Sequence, residues 1–338
     1  MARTLAVLSI LCTLTGCGPA EPPDKVSVSI VTLNLLHGIF CEQEHCRLED
    51  RVDLLMDEIT DRGCPDVITL QEVWSPTMEL LEPRLGDPCD FDYELIVGRE
   101  DTGVDDEVLL SRYPATDVEL VMLEGDFRHV LITELDHPWA PVELYSTHLA
   151  SGADGGPDPC EDCPAECVDA GAETLRDCQA IQLRELVRER GAGLAVIAGD
   201  LNDPPDSRLY ERYTRFGWLD TYLEAGNPEC DPGTGVGCTS GRESQTLEHL
   251  EDPASNTDER IDYVFVGGND LDLCVIDTAD DADGDGIATR LFADEPASAD
   301  CGPAPAEICW PSDHVGVQLD LDCWPMGDVP YIPPEFTP

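Results

Sequence analysis

An aspartate and a histidine stand side by side near the end of the chain, in the segment WPSDHVGVQLD at residues 310–320. Asp313 offers a carboxylate that can hold a metal ion or orient an imidazole, and His314 offers an imidazole that can accept a proton near neutral pH. Such a pair is a common means of activating water. An Asp-His dipeptide also arises by chance and is then merely solvated, so the pair alone does not establish catalysis.

Other acids, amides and imidazoles lie at or beside the ends of apolar, strand-like runs. Besides Asp313 and His314, they are Asn34, Glu72, His148, Asp200, Asn202 and Asp262. Any one of them is more often a cap, a turn residue or a satisfied core polar group than a catalyst. Together they include no nucleophilic Ser or Cys, and they suit metal-assisted attack by water, in which a carboxylate holds the ion and an imidazole moves protons.

Alternating strands and helices must position these residues. Alternating or continuous apolar runs predict strands within 25–36, 66–74, 93–99, 107–114, 128–136, 141–149, 194–203, 260–268 and 314–322. Apolar residues at helical spacing predict helices over 47–63 and 173–190. Strands with helices between them indicate sheets covered by helices, an α/β sandwich.

The first residues predict export. The apolar run LAVLSILCTL follows Arg3 and is too short to span a bilayer, so residues 1–16 are predicted to be a signal peptide. The segment LTGC, ending at Cys17, has the pattern of a bacterial lipoprotein signal, which implies cleavage before Cys17 and acylation of its thiol. We therefore expect an exported lipoprotein tethered to a membrane of the cell envelope, at the outer membrane or the cell surface. Ordinary secretion is the alternative.

Three regions are predicted after the signal peptide: a tether at 17–25, one domain at 26–323 and a proline-rich tail at 324–338. The length that remains after processing suffices for one large domain with a buried core. No Gly/Ser linker or repeated period divides it, which favours a single domain, and we expect a monomer.

Fourteen cysteines follow Cys17, an even number that allows seven disulfides in an exported protein. Three close pairs would staple loops: Cys41 with Cys46, Cys230 with Cys238, and Cys301 with Cys309. A further cluster has spacing that also suits zinc, namely Cys160, Cys163, Cys167 and Cys178. An oxidising compartment favours disulfides in this cluster.

The charge of the chain restricts its partners. There are 71 acidic residues against 19 Lys and Arg, and the formal net charge is −52. Such a surface repels polyanions at long range, which argues against tight nucleic-acid binding through a basic face. A nuclease is not excluded, because a bound divalent metal and a few arginines can dominate the field at one site.

Eight short motifs, in order, resemble those of the endonuclease/exonuclease/phosphatase superfamily, which has the fold of DNase I. They are TLNLL, LQEVW, LLSRYP, STHL, the R-x-x-Q of Arg176 and Gln179, GDLND, RIDYVFV and SDHVGV, between about Val26 and Asp322. The resemblance implies a four-layered α/β sandwich with two central β-sheets flanked by helices and, here, disulfide-rich loops. It also implies a hydrolase of phosphoric esters that uses a divalent metal, magnesium or manganese.

The resemblance assigns the metal and the base. Glu72 of LQEVW would be the principal ligand of a magnesium ion, flanked by Asn34 and Asp313. Asp262 of RIDYVF would accept a hydrogen bond from His314 and raise its basicity. His314 would then take the proton of the attacking water.

The resemblance also assigns the phosphate-binding groups. Asp200 and Asn202 of GDLND would orient water and bind a non-bridging phosphate oxygen. His148 would stabilise charge on a phosphorane-like transition state. A histidine at 148 and Leu36 two residues after Asn34 disfavour the DNA-repair branch, which resembles this pattern with a tyrosine and an acid there.

The sequence is compatible with several substrates. The expected activity is that of a phosphodiesterase, with a lipid headgroup, nucleic acid or a small phosphate ester as substrate. The alternatives are a sphingomyelinase-type phospholipase, an extracellular DNase, an inositol-phosphate phosphatase and a non-catalytic, lipid-anchored binding module. The segment DADGDG carries Asp281, Asp283 and Asp285 at calcium-loop spacing, but Phe292 stands at the twelfth position, so it is either a calcium-stabilised loop or an acidic turn.

Overall fold

A computed structural model describes residues 25–39, 41, 43–86, 89–98, 106–125, 127–152, 158–242, 246–277, 289–302 and 307–324. Within them the strands are β1 (Val26–Asn34), β2 (Val67–Val73), β3 (Glu94–Val97), β4 (Asp106–Ser111), β5 (Ala115–Met122), β6 (His129–Leu135), β7 (Val142–His148), β8 (Leu194–Asp200), β9 (Leu219–Asp220), β10 (Asp262–Gly267), β11 (Cys274–Ile276), β12 (Arg290–Phe292) and β13 (Gly316–Cys323). The helices are α1 (Glu44–Asp61), α2 (Ser75–Leu81), α3 (Ala165–Asp169), α4 (Leu175–Arg190), α5 (Arg208–Arg215) and α6 (Thr221–Glu224). Turns of 3₁₀ helix lie at Glu82–Arg84 and Leu271–Leu273.

The strands form two mixed sheets. The first sheet has the order β11–β13–β1–β2–β4–β3, with β12 also paired to β13, and the second has the order β5–β6–β7–β8–β10–β9. One parallel pair lies inside each sheet, β1 with β2 and β7 with β8. The carboxyl ends of these parallel strands carry Asn34, Glu72, His148 and Asp200 to one edge of the sandwich.

Apolar side chains of both sheets fill the space between them, including Ile30 and Leu319 from the first sheet and Leu144 and Val196 from the second. On the outer face of the first sheet, residues of α1 such as Leu55 pack into a second apolar cluster. A third cluster joins α4 and α5 to the outer face of the second sheet. The layers are therefore helix, sheet, sheet and helix, which confirms the predicted four-layered α/β sandwich.

Helix α4 lies within its predicted range and has local signals at both ends. At its start, the Thr174 side chain accepts from the Asp177 backbone N–H while the Asp177 carboxylate accepts from the Thr174 N–H, forming a capping box. At its end, Gly191 has φ 68°, a left-handed conformation that glycine adopts without strain. The α1 helix begins three residues before its prediction, and residues 45–47 within it have positive φ.

Seven disulfides join the cysteines of the described residues. The three predicted close pairs are present, and the cluster resolves into Cys160–Cys163 and Cys167–Cys178. The remaining bonds are Cys64–Cys89 and Cys274–Cys323. The four cysteines of the cluster are thus paired as disulfides, the arrangement that the sequence favours, although three of them, Cys160, Cys163 and Cys178, lie close enough to suit a metal ion.

Several predicted segments lie outside the described residues: the signal peptide with Cys17, most of the tether, nearly all of the tail, and the calcium-loop candidates Asp281, Asp283 and Asp285. Among the residues that the structure does describe, no helix has the length and apolar character needed to cross a membrane.

Candidate active site

The second sheet places three of the predicted site residues in one row. His148 lies opposite Asp200 in the β7–β8 pairing, and Asp200 lies opposite Asp262 in the β8–β10 pairing. His148 Nε2 is 3.5 Å from Asp200 Oδ2. Close approach of β7 and β8 requires a glycine before Asp200, because a Cβ at Gly199 would overlap the carbonyl oxygen of Thr147. Strand register thus assembles this part of the site.

His314 faces that row from the first sheet, where it lies just before β13. Its Nδ1 is 3.0 Å from Asp262 Oδ2, and its Nε2 is 3.9 Å from Asp200 Oδ2. The side chain of Asp262 is fully buried and that of His314 is 10% exposed. With Nδ1–H donating to Asp262, Nε2 becomes the nitrogen that can accept a proton.

Burial and neighbouring charges shift both groups of this pair. Burial raises the pKa of Asp262 to about 6, although His314 opposes the rise. Burial lowers the pKa of His314, but the carboxylates of Asp262, Asp313 and Asp200 outweigh it and raise that pKa well above the ordinary value. A positive charge among these carboxylates would bring the imidazole back toward its neutral, proton-accepting form.

A second hydrogen-bonded group joins the two sheets. Asn34, at the end of β1, donates from Nδ2 to Glu72 Oε1 at 3.0 Å and to Asp200 Oδ2 at 3.1 Å. The other oxygen of Glu72 accepts from the backbone N–H of His37 at 3.0 Å. The Glu72 side chain is 16% exposed, so it lies at the mouth of the site.

The backbone at Glu72 is unusual for a strand residue. Its φ is 58°, and the pairing of β2 with β4 slips between Leu70 and Val73, which marks a β-bulge. A left-handed conformation at a non-glycine residue costs roughly 1–3 kcal/mol and persists only where its surroundings fix it. Here the hydrogen bonds to the Glu72 carboxylate are part of those surroundings.

Asn202 also has a left-handed backbone, with φ 53°. Its N–H donates to Asp200 Oδ1 at 2.8 Å, and its Nδ2 donates to the carbonyl of Leu149 at 2.9 Å. These bonds hold the turn after β8 against the end of β7. The backbone N–H of Asn202 thus bonds to the Asp200 carboxylate, while its side chain bonds to the end of β7.

Asp313 is buried between the His314–Asp262 pair and the group formed by Asn34 and Glu72. Ser312 Oγ donates to the carbonyl of Asn34 at 2.5 Å and accepts from the His314 N–H at 3.1 Å, which ties the Asp313 loop to the end of β1. Burial raises the pKa of Asp313; His314 and Arg51 oppose the rise and Glu72 adds to it.

Two positioning residues carry no signal in the sequence. Arg51 of α1 is fully buried and donates to five carbonyls, those of Leu35, Leu36, His45, Cys46 and Pro311. It therefore fixes the loop after β1 to the loop that carries Asp313. Glu107 of β4 accepts from the His148 backbone N–H at 2.9 Å. An arginine on a helix and an acid in a strand are too common for either contact to be expected from sequence.

The residues present fit a hard divalent cation. Glu72 and Asp200 are bridged by Asn34, Asp200 lies opposite Asp262, and Asp313 is the neighbour of His314, so several carboxylates meet at one partly buried place. A divalent ion would offset this negative charge, and carboxylate and amide oxygens are the ligands that magnesium prefers. One carboxylate–imidazole group, Asp200, Asp262 and His314, has ligand atoms within 4.8 Å of one another. Because His314 Nδ1 already bonds to Asp262, we regard that group as the proton-transfer centre and the oxygens around Glu72 as the better cation site.

Comparisons with solved structures show the same fold. An endonuclease/exonuclease/phosphatase from Bacteroides vulgatus aligns with a TM-score of 0.60 at 20% identity, over 88% of this chain and 100% of that one. The mannosyl-6-phosphatase of Bacteroides thetaiotaomicron aligns with a TM-score of 0.58 at 15% identity, over 87% and 99%. D. rerio TDP2, complexed with a single-strand DNA product, aligns with a TM-score of 0.58 at 18% identity, over 87% and 98%. No curated protein matches the chain in sequence.

The class defined by fold and site is that of the DNase I-like phosphoester hydrolases. The endonuclease/exonuclease/phosphatase family model matches residues 31–314, so the chain belongs to that family. Its members are hydrolases of phosphoric esters and generally use a divalent metal. The resemblance of the eight sequence motifs to this family is thereby confirmed, while the role of each site residue stays a prediction.

Proposed function

We propose that the protein is a magnesium-dependent phosphodiesterase in which His314 activates the attacking water. The observation that carries this proposal is the meeting of His314 with the row of His148, Asp200 and Asp262, which places an oriented imidazole beside a carboxylate and a second imidazole. An imidazole so oriented is suited to general-base catalysis.

The proton path follows from the hydrogen bonds. Asp262 fixes His314 with its proton on Nδ1, and Nε2 takes the proton from water as the oxygen approaches phosphorus. Asp262 then faces the imidazolium that forms and stabilises its charge. Asp200 and Asn202 orient the water and a non-bridging oxygen.

His148 and the cation site would act on the phosphate. His148 Nε2 points toward Asp200 and can donate to an oxygen that gains negative charge. Glu72, Asn34 and Asp313 would hold magnesium or manganese, which when bound supplies a positive charge for the phosphate oxygens. The hydrogen bonds that Asn34 and His37 donate to Glu72 fix the orientation of this ligand.

The proposed location is the bacterial cell envelope, by way of a lipid on Cys17. The seven disulfides of the described residues support export, since such bonds persist in oxidising compartments. Labelling with radioactive palmitate should mark the expressed full chain, and the Cys17→Ser variant should carry no label. Label on that variant would contradict lipidation at this residue.

A panel of substrates tests the activity. The full chain, purified in detergent with its disulfides intact, is assayed with bis-p-nitrophenyl phosphate, p-nitrophenyl phosphate, sphingomyelin, an inositol polyphosphate and plasmid DNA, with magnesium, manganese or calcium and with a chelator. Cleavage of a diester by the wild type with metal, and its loss in His314→Ala, supports the proposal. Preferential cleavage of a monoester would make the protein a phosphatase of the same family, and no cleavage under any condition would favour the binding module.

A further inference from the structure

A cavity of about 320 Å³ lies beside the candidate active site, between residues of 227–238, 242 and 255–257 on one side and β12 on the other. Its described lining includes Arg242, Arg290, Asp294, Trp310 and Val315. None of the candidate catalytic or metal-binding residues is among that lining. We refer to it as the Arg242/Arg290 cavity.

The two arginines of this cavity differ from most others in the chain. Arg62, Arg190 and Arg260 each bond to two or more carboxylates, as expected in a protein with 71 acids and 19 Lys and Arg. Within the described part of the chain, neither Arg242 nor Arg290 has a carboxylate within the 4.0 Å of an ion pair. Arg51 also has no ion pair, but its donors are taken up by five carbonyls, whereas Arg242 and Arg290 each keep an unbonded Nε.

Arg242 is nearly enclosed and incompletely bonded. It is 7% exposed, and its guanidinium carbon lies 3.8 Å from the centre of the Trp310 ring. Its Nη1 makes one long hydrogen bond of 3.4 Å to the carbonyl of His314, and its buried Nε has no hydrogen-bond partner. Burial lowers the pKa of Arg242 to about 10, while Asp313 and Asp294 oppose that effect, so the side chain stays charged at neutral pH.

Arg290, at the start of β12, has the same deficiency. Its Nε is buried without a hydrogen-bond partner. Burial and the nearby Arg62 lower its pKa, while Asp294, Glu58 and Asp320 act against them. Asp294 and Glu58 already bond to Arg62, each at 2.6 Å. The remaining guanidinium donors can therefore serve a ligand in the cavity.

We propose that the Arg242/Arg290 cavity binds a tetrahedral oxyanion, the phosphate or sulfate group, at a site separate from the hydrolytic one. The enclosed guanidinium of Arg242 is a charge without an ion pair, which destabilises a folded protein, and an anion held between it and the partly exposed Arg290 would reduce that penalty. The planar guanidinium fork binds two oxygens at a time. A group with four oxygens can satisfy two forks, whereas a single carboxylate satisfies one.

The exposed carboxylate of Asp294 lines the same cavity and bears on the choice of ligand. This carboxylate bonds to Arg62 Nη2 at 2.6 Å and forms no ion pair with Arg242 or Arg290. The ring of Trp310, on which Arg242 stacks, is an apolar part of the lining. These features allow a small, strongly charged group and give no support to a long apolar ligand.

Sulfate is the first probe, because it is not a product of phosphoester hydrolysis. The full chain, dialysed into chloride at constant ionic strength with a chelator, is titrated calorimetrically with sulfate, then with inorganic phosphate and glycerol phosphate. We expect one binding site in the wild type. Arg242→Gln and Arg290→Gln should each weaken it by about tenfold or more, and the double variant should lose it.

Arg215→Gln is the matched control, because it removes a guanidinium that is 76% exposed and paired with Glu211. Thermal unfolding with and without sulfate shows whether each variant is folded and whether it has lost the stabilisation that a bound ligand gives. Binding of glycerol phosphate as tight as that of phosphate would identify the phosphate group of a larger molecule as a ligand, and binding of the free anions alone would identify those.

Full sulfate binding by the double variant, or none by the wild type, would overturn the proposal. Both measurements are made without metal and without turnover. The results of the two measurements therefore do not depend on the proposed hydrolytic activity.

Discussion

His314 Nδ1 lies 3.0 Å from Asp262 Oδ2, and this hydrogen bond joins the two sheets of the sandwich. His314 lies two residues before β13 of the first sheet, and Asp262 is the first residue of β10 in the second. Both side chains are almost enclosed, so the carboxylate has little water to compete with the imidazole. The orientation of the proposed base therefore depends on the packing of one sheet against the other.

The first prediction concerns this bond. Asp262→Asn should lower kcat by roughly 10² to 10⁴-fold while the protein stays folded, because the amide can donate to Nδ1 and so leave the proton on Nε2. Steady-state kinetics with bis-p-nitrophenyl phosphate measure the effect. Asp61→Asn, which removes an exposed carboxylate at the end of α1, should keep wild-type activity. Equal rates for Asp262→Asn and the wild type would refute the proposed role of this pair.

The second prediction concerns the cation site. Glu72→Gln keeps the shape of the side chain and removes its charge, so the magnesium concentration for half-maximal activity should rise by about tenfold or more. Metal titration of the initial rate measures this shift. Glu79→Gln, on the exposed side of α2, is the control and should not shift the titration. An unchanged metal requirement in Glu72→Gln would place the cation elsewhere.

Much of the fold could be predicted from sequence because its strands are strongly apolar. Strands β1, β2, β8 and β10 fall within the predicted segments, β13 extends one residue beyond its segment, and polar residues stand at or beside the ends of the first four. The edge strand β5 was not predicted, since most of its residues are at least partly exposed and carry acids between the apolar ones. The three-residue strands β11 and β12 are too short for a periodic pattern.

The structure brings together residues that the sequence singles out, but the sequence could not predict their geometry. Sequence order cannot show that Asp200 lies opposite both His148 and Asp262, because this depends on the register of three strands. Nor can it show that Asn34 bonds to a residue 166 positions away. Arg51 was missed for a further reason: all of its described hydrogen bonds go to backbone carbonyls, which leave no trace in side-chain identity.

The third prediction follows from the position of Arg51. Arg51→Met removes the donors of five buried or partly buried carbonyls and should lower the free energy of unfolding by on the order of 3 kcal/mol. It should also lower kcat, because the loops that carry Leu36 and Asp313 lose their common anchor. Urea unfolding with disulfides intact and steady-state kinetics measure the two effects. A variant with wild-type stability and kcat would contradict this anchoring role.

The fourth prediction compares two disulfides of different loop length. Cys274 and Cys323 are 49 positions apart and join β11 to β13, whereas Cys160 and Cys163 are 3 apart. In the chain-entropy model, replacing the first pair by alanine costs about 4 kcal/mol and replacing the second costs about 1.5 kcal/mol. The two double variants are compared by urea unfolding under identical conditions. Equal losses would show that chain entropy does not control the difference.

The fifth prediction concerns the pH dependence of stability at His137. The Nδ1 of this ring accepts from the Trp139 N–H at 3.3 Å and its Nε2 lies 3.2 Å from the Ser27 carbonyl, an arrangement that requires the neutral imidazole with its proton on Nε2. Burial lowers the pKa of His137, helped by Arg112 and opposed by the Ser27 carbonyl and Asp66. The folded state thus binds this proton less readily than the unfolded chain.

A lowered pKa in the folded state fixes the sign of the effect. The neutral His137 ring contributes fully to stability above its unfolded pKa of about 6.5. This contribution is lost as the pH falls through the pKa of His137 in the folded state. The free energy of unfolding of the wild type, minus that of His137→Gln, should therefore decrease as the pH is lowered from neutral. Urea unfolding at a series of pH values measures this difference, and His249→Gln gives the effect of removing a histidine elsewhere. Parallel curves for the wild type and His137→Gln would mean that this ring is protonated equally well in the folded and unfolded chains.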